Sequence, residues 1–308
     1  MQQVQRGRPR TEADGCRRYL PNAAISFDTR AHVLTEEIKP DWAAEIIAQH
    51  EENRRQVRIG LIHEFGNAEH ERKIADFGAL GAAPWSIIDR HNLFLQQIRD
   101  AFAFGAFYPS LVGACALGER LLNELVIRLR GEYSSHPATV KVATQRTFND
   151  WILCIEALFE WGVLDDPLAT KFNDLRKFRN RSVHYGAHLT ESDARDDALH
   201  AVLLIQEIIE ALFRPHGGPP LFIAGTSGHT FLSLRAESEP FTREFLLPAS
   251  ILVSPNFEMK WNVNKGWFDV FDDENYQDQF STLTDEEFAE HRRSPRPRAG
   301  SGTDKKRN

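Results

Sequence analysis

Residues 110–130 constrain the fold of this chain more than any other stretch. Apolar side chains recur there on most faces of one helix, at Leu111, Ala114, Cys115, Leu117, Leu121, Leu122, Leu125, Val126 and Leu129. A surface helix carries one apolar stripe, whereas a helix that is apolar on most sides is buried by other elements. We therefore expect a helix that is buried on most sides and ends at Gly131.

Helical periodicity and capping signals predict further helices on both sides of this one. They cover about 41–60, 85–98, 148–162, 166–186 and 190–213. Residues 66–84 are rich in Gly and Ala, and we expect a connection there that holds one short helix at most. In the first of these helices the positions expected to face inward are Trp42, Ile46, Ile47 and Val57.

The pattern changes after residue 215. Residues 216–220, HGGPP, have the composition of a linker, and the segments behind them are short and rich in β-branched and aromatic residues. Such segments are typical of strands, which we expect at 231–234, 245–247, 251–253, 257–263 and 267–271, with a hairpin turn at 264–266. The sequence therefore predicts a mainly α protein with a small C-terminal antiparallel β subdomain, α+β overall.

Charge is distributed unevenly over the 308 residues. Residues 1–19 carry a formal charge of +3 and residues 291–308 carry +6; the whole chain carries −7, so residues 20–290 hold −16. An acidic body between basic ends is unlike a protein that coats nucleic acid along its whole surface. The predicted organisation is a disordered basic tail at 1–22, a helical extension at 23–84, a helical domain at 85–215, a β-rich subdomain at 219–280 and a disordered basic tail at 291–308.

Composition also argues against several classes of protein and site. The apolar runs are far shorter than a transmembrane helix needs, and the basic N-terminus lacks the apolar segment of a secretory signal. Cys16, Cys115 and Cys154 are odd in number and widely spaced, which indicates the reducing cytoplasm and neither a disulfide frame nor a cysteine zinc site. Neither HExxH nor EF-hand spacing occurs, so no metal or cofactor is expected.

The end of the 166–186 helix combines residue types that suit phosphate chemistry. Arg179 lies four residues after Leu175, on the stripe where an apolar side chain is expected. A guanidinium there is costly unless it is paired or faces a polar pocket. Asn180 and His184 are four residues apart and share the adjacent face. Arginine can hold phosphate oxygens and histidine can transfer protons; alternatively, these side chains only cap the helix C-terminus.

Glu119 is a second candidate, because its neighbours on the 110–130 helix are largely apolar and a carboxylate among them needs a partner. Arg179 is one candidate partner, and this pairing would orient the guanidinium. The alternatives are a local pair with Arg120 or Arg128, or a partly solvated position at the edge of the apolar stripe. The sequence alone leaves these three open.

Residues 179–184, RNRSVH, resemble the R-x4-6-H motif of the HEPN superfamily, in which a polar residue is favoured directly after the Arg. The upstream helix LVGACALGERLLNELVIRLR and the ending RNRSVHYG are also similar to many HEPN domains. The resemblance covers about residues 85–215. Tyr185 follows the His at once, and Gly186 stands where a toxin subgroup has a Tyr, so the chain departs from that subgroup.

The resemblance implies a HEPN-like antiparallel helical bundle that dimerises and brings two such motifs to one cleft. Active members are metal-independent endoribonucleases, often in toxin–antitoxin or antiviral defence systems. Other members are non-catalytic modules for dimerisation and interaction, and the motif alone does not separate the two classes. The implied partners are RNA, a second copy of the chain, and an antitoxin or defence-system protein.

For the catalytic class we expect attack of a ribose 2′-OH on the adjacent phosphate, which yields a 2′,3′-cyclic phosphate. The expected catalytic residues are Arg179, Asn180, His184 and Glu119, of which His184 is the acid or base and Arg179 stabilises the transition state. The residues expected to attract RNA despite the acidic body are Arg176, Lys177 and Arg181.

Overall fold

A computed structural model describes residues 2–21, 28–84, 86–148, 150–183, 191–213, 222–226, 230–265, 267–276 and 282–294. The chain divides into two compact units. The helical unit is Ile25–Arg214, and the strand unit combines Met1–Ala24 with Pro215–Asn308. The predicted fold class is confirmed, because the protein is mainly helical and has a small antiparallel β part.

The helices of this unit include all of the predicted ones and one short helix near residue 30 that was not predicted. They are α1 (Arg30–Thr35), α2 (Ala44–Phe65), α3 (His70–Ala79), α4 (Asp89–Phe104), α5 (Phe107–Leu129), α6 (Trp151–Glu160), α7 (Asp166–Val183) and α8 (Glu191–Phe213). Local capping explains some of these bounds. The Asp150 carboxylate, for example, accepts the Ile152 amide hydrogen at 2.9 Å and so starts α6.

The breadth of the apolar stripe on α5 is explained by its neighbours. α5 packs against α4, α6, α7 and α8. Its buried residues are Ser110, Leu111, Ala114, Cys115, Leu117, Gly118, Leu121, Leu122, Leu125, Val126 and Leu129. The prediction that this helix is buried on most sides is confirmed, and the other helices of the same unit account for that burial.

The predicted boundary near residue 85 is not a boundary between compact units. A core cluster joins Phe77 of α3 and Leu61 of α2 to Ala103 of α4, so packing crosses the expected division at 23–84 and 85–215. The connection predicted at 66–84 contains one helix, α3, as allowed. Val57 packs against this cluster as expected, whereas Ile46 is exposed and its predicted inward position is wrong.

The strand unit contains β1 (Gln2–Gln3), β2 (Arg18–Pro21), β3 (Ser250–Val253), β4 (Glu258–Asn262), β5 (Trp267–Asp272) and α9 (Asp285–Arg293). One antiparallel sheet has the strand order β1-β5-β4, and a second pairs β2 with β3. The strands expected near 251–253, 257–263 and 267–271 are confirmed, and the last two form the predicted hairpin. Phe231, Phe257 and Phe288 meet in the core beneath them.

Two expectations for this unit are wrong. Residues 1–22 were predicted to be a disordered tail, but Gln2–Gln3 and Arg18–Pro21 are strands, because β1 pairs with β5 and β2 pairs with β3. Residues 245–247, predicted as a strand, lie in the helical turns Thr242–Leu246 and Leu247–Ala249. The segment expected at 231–234 contributes one bridge, Phe222↔Leu232.

The C-terminal tail was predicted to start at residue 291. Residues 291–293 belong to α9 instead, and residues 295–308 lie outside the described residues.

Candidate active site

α7 carries the RNRSVH segment as far as Val183. The Asp165 carboxylate accepts the Leu168 amide hydrogen at 2.9 Å and so caps the start of the helix. Leu175 is fully buried, and Arg179, one turn later, keeps 31% of its side chain exposed. The last turns of α7 therefore lead from the core to the solvent-facing edge of the helical unit.

The Arg179 guanidinium faces the Glu119 carboxylate of α5. Its Nη2 lies 3.4 Å from Glu119 Oε2, and about a third of each side chain remains exposed. Among the described residues, Glu119 is the only carboxylate paired with Arg179. The guanidinium therefore keeps donors for an anion that approaches from solvent.

Trp151 holds the other side of this pair. Its indole Nε1 donates to the same oxygen, Glu119 Oε2, at 3.1 Å, and its ring is almost completely buried at the start of α6. A buried indole cannot swing away, because the packed core fixes its rotamer. Glu119 is thus oriented by one fixed neutral donor and by the cation of Arg179.

Gly118 explains how three helices come this close. A Cβ atom at Gly118 would lie 2.5 Å from Leu175 Cδ2 and 3.1 Å from Trp151 Cη2, so a larger residue would overlap the Leu175 methyl group and crowd the Trp151 ring. Leu175 is one turn before Arg179, and Gly118 directly precedes Glu119. The missing side chain therefore sets the approach of α7 to α5 at the point where the ion pair forms.

The structure selects among the three alternatives for Glu119. The carboxylate pairs with Arg179 and is partly solvated as well, while Arg128 pairs with Glu124 at 3.4 Å. Arg120 extends over the Phe94 ring, with its Cζ 5.5 Å from the ring centroid. Trp151 and Gly118 were not identified from the sequence, because their contribution depends on how α5, α6 and α7 pack.

Cys115 is a cysteine close enough to this pair for both charges to affect its thiol. Its Sγ lies 3.9 Å from the Leu175 carbonyl oxygen, and burial raises the pKa of the thiol to about 12, although Arg179 opposes the shift. A thiol with that pKa is protonated at neutral pH. Cys115 therefore packs as a small apolar side chain and supplies no thiolate.

The three basic residues expected to attract RNA differ in their surroundings. Lys177 pairs with Asp174 at 2.7 Å, and Arg181 pairs with Asp197 at 2.5 Å while it covers the Phe178 ring. Both side chains are more than half exposed, so these pairs are weak and open to exchange.

Arg176, the third of these basic residues, is half-buried. Its Nε has no hydrogen-bond partner among the described residues. This nitrogen is buried and does not face the solvent from which RNA would approach.

Asn180 is half-buried next to Arg179, whereas His184 lies outside the described residues. Tyr108 of α5 reaches the last turn of α7, where its hydroxyl donates to the Ser182 carbonyl oxygen at 3.3 Å. The structure thus brings together Glu119 and Arg179 of the predicted catalytic set, with Asn180 adjacent in the chain.

Comparisons with known proteins give no further constraint on this site. No family model, curated protein or solved structure matches the chain. In the part of the chain that the structure describes, no group of His, Cys, Asp and Glu side chains has the arrangement of a metal site. None of the described helices combines the length and hydropathy needed to cross a membrane.

Proposed function

We propose that this protein is a metal-independent endoribonuclease of HEPN type. The observation that carries the proposal is the Glu119–Arg179 pair, in which a partly exposed guanidinium is oriented by a carboxylate that a buried indole also holds. Arg179 makes one ion pair with a described carboxylate and about a third of its side chain is exposed, so an anion from solvent can reach the guanidinium. Such a group suits electrostatic stabilisation of a phosphorane-like transition state.

In the proposed reaction the ribose 2′-oxygen attacks the adjacent phosphorus while the bond from phosphorus to the 5′-oxygen breaks. His184 removes the proton from the 2′-OH or returns one to the leaving 5′-oxygen. Arg179 stabilises charge on the equatorial phosphate oxygens, and Asn180 orients His184 or one of those oxygens. The products are a 2′,3′-cyclic phosphate and a 5′-hydroxyl.

The proposed assembly is a cytoplasmic homodimer in which two motifs share a cleft, with an antitoxin or defence-system protein as partner. The breadth of the α5 stripe does not support the dimer, since that stripe is buried within one chain. Other aromatic surface does support it, because Phe104 is 58% and Tyr108 59% exposed. Phe102, in the same part of the chain, is fully buried and therefore adds nothing to this exposed aromatic surface.

The test is cleavage of single-stranded RNA in EDTA by the wild-type protein and by Arg179→Met, Glu119→Gln and His184→Ala. We expect metal-independent cleavage that Arg179→Met and His184→Ala abolish and Glu119→Gln strongly reduces. Arg128→Met is the matched control, because the Arg128–Glu124 pair has the same 3.4 Å distance and similar exposure.

Two results would contradict the proposal. Cleavage that vanishes in EDTA would exclude the metal-independent mechanism. A folded dimer without ribonuclease activity under any condition would identify the protein as a non-catalytic HEPN module.

A further inference from the structure

An open groove runs between α4 and α5 in the helical unit. It has a volume of about 490 Å³ and is mainly apolar, with Phe94, Ile98, Pro109 and Leu117 among its lining residues. Gly113 brings the two helices together at its floor, where a Cβ atom would lie 2.9 Å from Ile98 Cγ1. A cavity of this size with a mainly apolar lining and few polar groups is typical of a small-molecule site.

This groove and the candidate active site both use residues of α5. Tyr108, Val112, Ala116 and Arg120 follow one another at four-residue spacing, form one row along α5, and are all exposed. Ala116 and Arg120 line the groove. Glu119 lies three residues after Ala116, so the carboxylate that holds Arg179 neighbours the groove on the helix surface.

Two polar side chains in the groove give it a chemical preference. Arg120 makes no ion pair with a carboxylate that the structure describes, and it stacks against Phe94. Gln97 presents an amide, which can both donate and accept. An apolar slot with an amide and a stacked guanidinium is complementary to a heteroaromatic base, and the proposed phosphate site at Arg179 lies on the other side of Glu119.

We infer that the α4–α5 groove is a nucleobase subsite that takes the base next to the phosphate held by Arg179. The inference rests on the proposed function, because it assigns the substrate phosphate to Arg179. The base packs its faces against the apolar walls, and its edge meets Gln97 and Arg120. Sequence preference in cleavage then arises at this groove and not at the ion pair.

Binding of adenosine 5′-monophosphate and of ribose 5-phosphate to the full chain, measured by calorimetry, tests this inference without turnover. We expect the nucleotide to bind at least tenfold more tightly than the sugar phosphate, since only the nucleotide fills the groove. Ala116→Phe, which places a ring in the groove, should remove that difference and leave sugar phosphate binding unchanged. Ala48→Phe, at an exposed position of α2, is the matched control and should leave both affinities unchanged.

Equal affinities of the wild-type protein for the two ligands would overturn the inference. So would a wild-type dimer that Ala116→Phe converts to a monomer without change in nucleotide affinity, because a second copy would then cover the groove. A parallel RNA cleavage assay separates the two proposals. Cleavage with equal ligand affinities leaves the ribonuclease standing without this subsite, and groove-dependent nucleotide binding without cleavage supports the subsite and contradicts the ribonuclease.

Discussion

Arg18 in the strand unit and Arg179 in the helical unit are both paired with carboxylates, yet their surroundings differ. Arg18 is completely buried: its Nε donates to Asp285 at 2.7 Å, and its Nη atoms donate to main-chain carbonyls, including Leu283 O at 2.6 Å. Arg179 has one looser pair with Glu119 and keeps a third of its surface in solvent.

The difference separates an arginine that stabilises the fold from an arginine that the fold leaves accessible to a ligand. Removing a fully bonded, buried guanidinium leaves its acceptors without donors, which is expensive. Removing a partly solvated one changes stability little, because water replaces what is lost. Substitution of Arg18 should therefore lower stability more than substitution of Arg179 does. Substitution of Arg179 should instead lower activity and change stability little.

The largest effect is expected for Arg18→Met. The unfolding free energy of the strand unit should fall by about 3 kcal/mol, since Asp285 and several carbonyls lose their donor. Hydrogen exchange of the β2 and β3 amides measures this loss directly. Lys260→Met is the control, because Lys260 pairs with Glu258 at 3.5 Å and its side chain is 64% exposed; equal losses in the two variants would contradict the comparison.

Gly118→Ala should have the next largest effect. The new methyl group collides with Leu175, so we expect a loss of about 1–3 kcal/mol in unfolding free energy. RNA cleavage should fall as well, because α7 and Arg179 move away from Glu119. Gly60→Ala on α2 meets nothing within 4 Å and should stabilise by up to about 1 kcal/mol. Similar melting temperatures for the two variants would show that the close approach of helices at Gly118 does not contribute to stability.

A smaller, pH-dependent effect is expected at Asp14. Burial opposes ionisation, but hydrogen bonds from Arg8 and Thr11 lower the pKa of Asp14 from 3.8 to about 2. The folded state thus favours the carboxylate, so its contribution is present above pH 3.8 and lost as the pH falls through about 2. Asp14→Asn should flatten the acid unfolding curve of the strand unit in that window, and an unchanged curve would contradict this role.

The smallest change in stability is expected for Arg179→Met. Its unfolding free energy should stay within about 1 kcal/mol of the wild type, as for other partly exposed pairs. Arg128→Met should behave alike in melting experiments, while only Arg179→Met abolishes RNA cleavage. An Arg179→Met protein that unfolds would place Arg179 with Arg18 as a structural arginine.

The sequence predicts the helical unit better than the strand unit, and the reason is the range of the contacts. Helices such as α5 and α8 are encoded by apolar side chains three and four residues apart, within one segment. β1 and β2 have no comparable local pattern, and they exist because residues about 230–270 positions later pair with them. Basic residues at 1–22 therefore resembled a solvated tail, although Arg17 and Arg18 are buried.

The candidate site divides in the same way. Glu119 and Arg179 were predictable because a charge on an apolar stripe is visible in one helix. Their pairing was one of three alternatives, and only helix packing could select it. Trp151 and Gly118 carry no local sign of their role, since an indole in a core and a glycine in a helix are common.

The pairing of β2 with β3 also imposes an order of events on the ribosome. Tyr19 pairs with Leu252, and the whole helical unit is synthesised between them. At about 5–20 residues per second, β2 waits on the order of 10–50 s for its partner. The helical unit, whose contacts are all available by Arg214, can fold on the ribosome during that interval. The strand unit, which is discontinuous in sequence, can close only after β3, β4 and β5 have been synthesised.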